Sequence, residues 1–155
     1  MGKSFPLQTL LDLSRLRLDE ATRKLGELLA GEQEAGARLA LLQQYRAEYH
    51  TRFVTAARDG LGRTALANYQ SFLVRLDDAI TQAEGLLEQS RQRTATGQQE
   101  WIGQRGRLQA FDTLAQRHRD QQQHAENRKE QKQSDEHAAR KHAIGEDTSL
   151  PPHKK

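Results

Sequence analysis

Apolar residues recur along this chain in alternating steps of four and three, first outward and then back. The outward run is Leu7, Leu11, Ser14, Leu18, Ala21, Leu25, Leu28, Glu32, Ala35, Leu39, Leu42, Arg46, Tyr49, Phe53 and Ala56. Only Ser14, Glu32 and Arg46 interrupt it, so it reads as a coiled-coil seam and not as the face of a compact domain. The seam breaks at Asp59-Gly60-Leu61-Gly62 and resumes from Leu66 through Tyr69, Leu73, Leu76, Ile80, Ala83 and Leu87 to Trp101, Leu108, Phe111 and Ala115. Continued in the same steps it meets His118, Gln122, Ala125, Lys129 and Lys132, which is no longer a seam.

The two runs match in length. A helix over 7–57 is roughly 75 Å long at about 1.5 Å per residue. If the chain reverses near residue 61, facing residues have numbers summing to about 122, and Leu7 lies opposite Ala115. In that register Ala35 meets Leu87, Leu39 meets Ala83, Ala21 meets Trp101 and Ala56 meets Leu66. Large against small is what filled layers require. The expected fold is all-α: a long two-helix antiparallel coiled coil, an α-hairpin, with a helical C-terminal overhang. Residues 1–142 form the hairpin, with helix one at about 7–57, a loop at about 58–64 and helix two at about 65–140. Thr64 is the expected N-cap of helix two, and 143–155 reads as a disordered tail.

One stretch looks weak. Gly26, Gly31 and Gly36 on helix one come opposite the region of Gly85 and Gly97 on helix two, where Glu32, Ser90, Thr94 and Gly97 itself occupy the seam in place of large apolar groups. A glycine inside a helix costs about 1 kcal/mol relative to alanine, so this stretch is expected to be a bendable waist or a tolerated weak region. Beyond Ala115 the chain keeps a helical composition but has nothing to bury. A polar helix of that kind is marginal alone and frays until a partner docks.

Composition sharpens this picture. Of 155 residues 35% are hydrophobic and 29% charged, with a mean hydropathy of -0.92. No proline interrupts the chain between Pro6 and Pro151, which fits long helices. The absence of cysteine removes disulfides and thiolate metal sites and fits a reducing compartment. Asp12, Arg15 and Arg17 break up the first leucines, so no signal peptide is expected, and the expected location is cytoplasmic. The net charge of +3 comes from 24 cations interleaved with 21 anions. That mixing reads as the solvated face of long helices, with pairs such as Asp19–Arg23 and Glu34–Arg38, and no cationic stripe with stacking aromatics marks a nucleic-acid binder.

No catalytic constellation is legible. Asp59-Gly60-Leu61-Gly62-Arg63-Thr64 lacks the spacing and lysine of a phosphate loop. The six histidines include neither HExxH nor an i, i+4 pair. No enzyme activity, cofactor or metal is expected. The aromatics beside the seam are another matter. Tyr45 and Phe72 fall at flanking g positions, and with Leu42, Tyr49, Leu76 and Ala79 they cluster near the turn. They either cover the seam edge or form a docking patch.

Five segments in order resemble one family. They are Leu10-Leu11-Asp12-Leu13, then Leu39 with Tyr45-Arg46-Ala47-Glu48-Tyr49, then Asn68-Tyr69-Gln70-Ser71-Phe72-Leu73 with Leu76-Asp77-Asp78-Ala79-Ile80. Trp101 with Arg107-Leu108-Gln109-Ala110, and Ala125-Glu126-Asn127-Arg128-Lys129-Glu130-Gln131-Lys132, complete the set. Together they resemble the flagellar export protein FliJ family over roughly residues 5–141. The resemblance implies a stalk-like hairpin that inserts into the hexameric export ATPase FliI and promotes its assembly and activity. It also implies contact with the export gate protein FlhA, cycling of export chaperones, and a peripheral location at the cytoplasmic face of the inner membrane. The family's gate-facing patch falls on Leu42, Tyr45, Tyr49, Phe72, Leu76 and Ala79; Arg38 and Ala83 stand where Gln and His would be expected. The ATPase-facing part is implied at 7–25 and 97–115 with the overhang. The alternatives are a generic coiled-coil scaffold, the stalk of a virulence secretion system, or a nucleic-acid binder using the basic overhang.

Overall fold

In the computed structural model, which describes residues 4–147, two helices account for nearly everything. Helix α1 spans Gln8–Asp59 and helix α2 spans Arg63–Asp147. They pack antiparallel as an α-hairpin coiled coil, with no strand among the described residues. Every position of the two predicted runs is buried or half-buried, and nearly every residue between them is exposed. The core is therefore one row of layers, in which Leu11, Ala21, Leu76, Ala83, Leu87 and Ala115 are the most buried apolar residues. A two-helix core cannot enclose a side chain completely, so stability comes from many half-covered layers in series.

The turn is tighter than the loop expected over 58–64. Only residues 60–62 lie outside helix. Gly60 takes φ +93, a left-handed conformation that side chains disfavour by about 1–2 kcal/mol, and its N–H donates to the Ala57 carbonyl at 3.3 Å. This closes α1 with the glycine turn usual at helix ends. Thr64 is not the N-cap of α2. The first intrahelical bond runs from the Leu66 N–H to the Gly62 carbonyl at 3.0 Å, which makes Gly62 the cap and places Thr64 inside the first turn. The reason is apolar: Leu61 before the cap and Leu66 at the fourth helical position are both half-buried, the spacing of a hydrophobic staple.

The described residues divide into two compact units, one of 14–107 and one of 4–13 with 108–147. In the first, cross-helix contacts carry the register. The Trp101 indole N–H donates to Thr22 Oγ1 at 2.9 Å, and Thr94 Oγ1 lies 3.3 Å from the Leu28 carbonyl and 3.0 Å from that of Ser90. Arg46 and Asp77 form a two-pronged ion pair. It lowers the Asp77 carboxyl and raises the Arg46 guanidinium, in each case chiefly through their shared hydrogen bond. These partners have numbers that sum to 122 or 123, as the seams require. The ion pairs Lys24–Glu100, Arg46–Asp77 and Glu32–Arg91 run across the hairpin.

The glycines of the expected waist are not equivalent. Both helices run unbroken through them. Gly26, Gly31 and Gly85 face open space, whereas a Cβ on Gly97 would stand 2.5 Å from Leu28 Cδ1. Gly97 is thus a hole that receives a leucine knob. Gly26→Ala and Gly85→Ala are each expected to raise stability by about 1 kcal/mol from helix propensity alone. Gly97→Ala should gain less or lose stability, because Leu28 must turn aside. Thermal melts of the three single variants check this ordering.

In the second unit the pairing reaches further than the sequence indicates. His118 and Gln122 are half-buried, so the seam ends one heptad beyond Ala115. Phe5, ahead of the first seam leucine, brings its ring to 5.6 Å from the His118 imidazole, and the Gln8 N–H donates to the Phe5 carbonyl at 3.1 Å. From Gln123 to Gly145 every described side chain is exposed. Helix α2 nevertheless continues to Asp147, so the expected tail begins as helix; its remainder, 148–155, lies outside the described residues.

Candidate functional site

Near the turn the seam becomes aromatic. Tyr69 lies between two rings of α1, its centroid 5.7 Å from Phe53 and 5.3 Å from Tyr49. Tyr49 in turn meets Phe72 at 4.3 Å. All three pairs are tilted, the arrangement that ring quadrupoles favour over a flat sandwich. The row holds the Phe72 ring against Tyr49.

Of the six residues singled out near the turn, the structure exposes two. Tyr45 is 51% and Phe72 40% exposed. Leu42, Tyr49 and Ala79 are half-buried at the edge of the seam, and Leu76 is buried at 9%. A partner docking here would thus meet Tyr45 and Phe72 directly, with Tyr49 supporting Phe72 from below and Leu76 acting only through its neighbours. Arg46 lies on the far edge of the same layers, tied to Asp77. The surface therefore offers two aromatic side chains held in place by packing, the kind that contributes most to protein contacts.

Among the described residues no group of His, Asp and Glu is placed to hold a metal ion, and no helix is long and apolar enough to cross a membrane. Among the described residues, the hollows beside Leu28 and Gly97 and between Arg38 and Leu86 are furrows open to solvent.

A family model of the flagellar FliJ protein matches residues 3–146. The chain belongs to the FliJ family. Its FliJ relatives include the flagellar FliJ proteins of Salmonella typhi and of Escherichia coli (strain K12), each 36% identical over 140 residues, which is 90% of this chain and 95% of the relative. A FliJ match of that extent takes in both helices, the turn and the exposed end of α2.

Two features of this FliJ-family hairpin escaped the sequence reading. One is the Gly97 hole: Gly97 falls on the seam steps, unlike Gly26, Gly31, Gly36 and Gly85, but its spacing does not show that Leu28 fills the gap. The other is Leu86, 55% exposed, which borders a furrow with Arg38 and Gly31. Its position seven residues after Ala79 and fourteen after Phe72 is the signal that could have found it.

Proposed function

We propose that this chain works in flagellar protein export as a non-catalytic coupling protein. Its FliJ membership supports the coarser statement, a component of the flagellar export machinery. The observation that carries the reading is the family match over nearly the whole chain together with the α-hairpin fold. In the finer reading the unit holding residues 4–13 and 108–147 engages the export ATPase FliI, and the surface of Tyr45 and Phe72 contacts the export gate protein FlhA. Leu42, Tyr49, Leu76 and Ala79 support that surface. Export chaperones are handed on by the same protein, which sits peripherally at the cytoplasmic face of the inner membrane.

The physical support for the ATPase contact is the bare stretch of α2. Its side chains from 123 to 145 are exposed, and they carry both signs of charge with few apolar groups. Such a helix gains order on a partner, so part of the binding energy goes into ordering it. The test is stimulation of FliI ATP hydrolysis by the purified chain. Full-length protein should stimulate, and absence of stimulation would overturn the reading. Deleting residues 123–155 should raise the concentration for half-maximal stimulation by about tenfold or more. The same deletion should shift the melting temperature by no more than about 2 °C, since less than 1 kcal/mol of packing is removed.

A further inference from the structure

The net charge of the chain is gathered at one end of the 14–107 unit. Residues 49–76, which carry the turn, hold four arginines and one aspartate, so the whole formal charge of +3 resides there. The remainder of the chain has 20 cations and 20 anions. Arg58 lies in the last turn of α1 and Arg63 opens α2, on either side of residues 60–62. Arg52 and Arg75 follow on the two helices, within about 20 Å of the turn at about 1.5 Å per residue. All four are exposed. Among the described residues none of them is in an ion pair, whereas Arg46 and Arg91 further along are held by Asp77 and Glu32. Val54 and Val74 stand among these arginines, 37% and 58% exposed.

We propose that this arginine-bearing turn docks on an anionic lipid surface. Unpaired charge of one sign, concentrated at one place, creates a field that draws in anions. Arg63 stands at the positive end of α2, and the first turn there has no acidic residue to offset it. An anion arriving at that point relieves the repulsion. Shape selects among anionic partners. The turn joins two helix ends through three residues, a blunt end, while the hollows beside Leu28 and Gly97 and between Arg38 and Leu86 lie back along the helices. A blunt end meets a broad plane of phosphates better than it cradles an acidic peptide. The arginines also stand on both helices around the turn, not in the single stripe that follows a nucleic-acid backbone. Valines beside arginines fit the lipid interface, where apolar groups enter the headgroup layer and guanidinium groups stay with the phosphates. The inference does not rest on the export gate being a partner, because the arginines are not residues of the Tyr45–Phe72 surface.

The probe is sucrose-loaded vesicles of phosphatidylcholine with about 30% phosphatidylglycerol, beside vesicles of phosphatidylcholine alone. Co-sedimentation of the full chain at about 0.1 M salt should give a partition coefficient at least about tenfold higher on the anionic vesicles. Arg58→Gln combined with Arg63→Gln should lower it by about tenfold or more, since each arginine near such a surface contributes about fivefold. Arg93→Gln combined with Arg107→Gln removes the same charge from exposed positions away from the turn, and should leave binding within about twofold. Val74→Asp sets a carboxylate among the arginines at an exposed position and should weaken binding by about fivefold. Helical circular dichroism of each variant confirms that the fold is kept. Equal binding to both kinds of vesicle, no binding to either, or equal loss in the two arginine double variants would overturn the proposal. So would tighter binding to a short DNA duplex, or to a polyglutamate peptide, than to the anionic vesicles at the same salt. The vesicles hold no protein, so gate binding and ATPase stimulation are read separately and either inference can fail alone.

Discussion

Replacing Tyr45 and Phe72 together with alanine is expected to weaken binding to the FlhA cytoplasmic domain by about thirtyfold, equivalent to about 2 kcal/mol. The helical circular dichroism should be unchanged. The expectation follows from the difference between the two exposed rings and the aromatics beneath them. Tyr45 stands at the surface, so its loss removes contact area and little packing. Phe72 is 40% exposed and rests on Tyr49 at 4.3 Å, so its ordering is already paid for by the hairpin. A rigid ring loses little entropy on docking, which is why such side chains dominate interfaces. The internal row Tyr49–Tyr69–Phe53 persists in the variant. Titration of wild type and double variant against the gate domain checks the result, and unaltered affinity would remove the gate contact from this surface.

The largest loss of stability is expected at Trp101. Trp101→Ala should cost about 2–3 kcal/mol, below the usual range for a fully buried tryptophan because the ring is half-exposed. For a chain of this size that is a fall of about 5–10 °C in melting temperature. Three contributions act together. The indole lies in the layer of Ala21, which is 7% exposed and too small to fill the space alone. Its N–H reaches Thr22 Oγ1, whose own hydroxyl donates to the Leu18 carbonyl at 2.8 Å. Arg105 lies over the ring, 5.5 Å from its centroid. Trp101→Phe keeps much of the volume but loses the indole donor, and should cost about 1 kcal/mol. Melts of both variants separate packing from hydrogen bonding. Equal losses would show that the Thr22 bond matters more than the filled layer.

The seam and its register were legible because a two-helix core depends on one variable, the spacing of apolar residues. Leu11, Ala21, Leu87 and Ala115 are buried where alternating steps put them, and Trp101 meets the layer of Ala21. The cap was not legible in the same way. Thr64 has the better capping chemistry, but burial of Leu61 and Leu66 decides where the helix begins, and Gly62 is what remains at the cap. The end of the seam was misjudged for a related reason. His118 and Gln122 are polar and break the pattern, yet Phe5 supplies the apolar surface that His118 packs against. For the site, position along the heptad located Tyr45 and Phe72. The direction of the cross-helix ties was hidden, because Arg46 and Glu32 sit in the seam without announcing which way they reach.

The exposed stretch of α2 beyond Gln122 has a kinetic consequence. An isolated helix must first form a turn, with a nucleation constant of about 10⁻³. Here the paired part of α2 presents that turn ready-made, so helix can only grow outward from it and melt back toward it. The stretch then behaves like a zipper with one fixed end, in which each residue is less persistent than the one before. A protease would be expected to shorten it progressively from the far end, and a partner arriving at its base meets helix before a partner arriving at its tip.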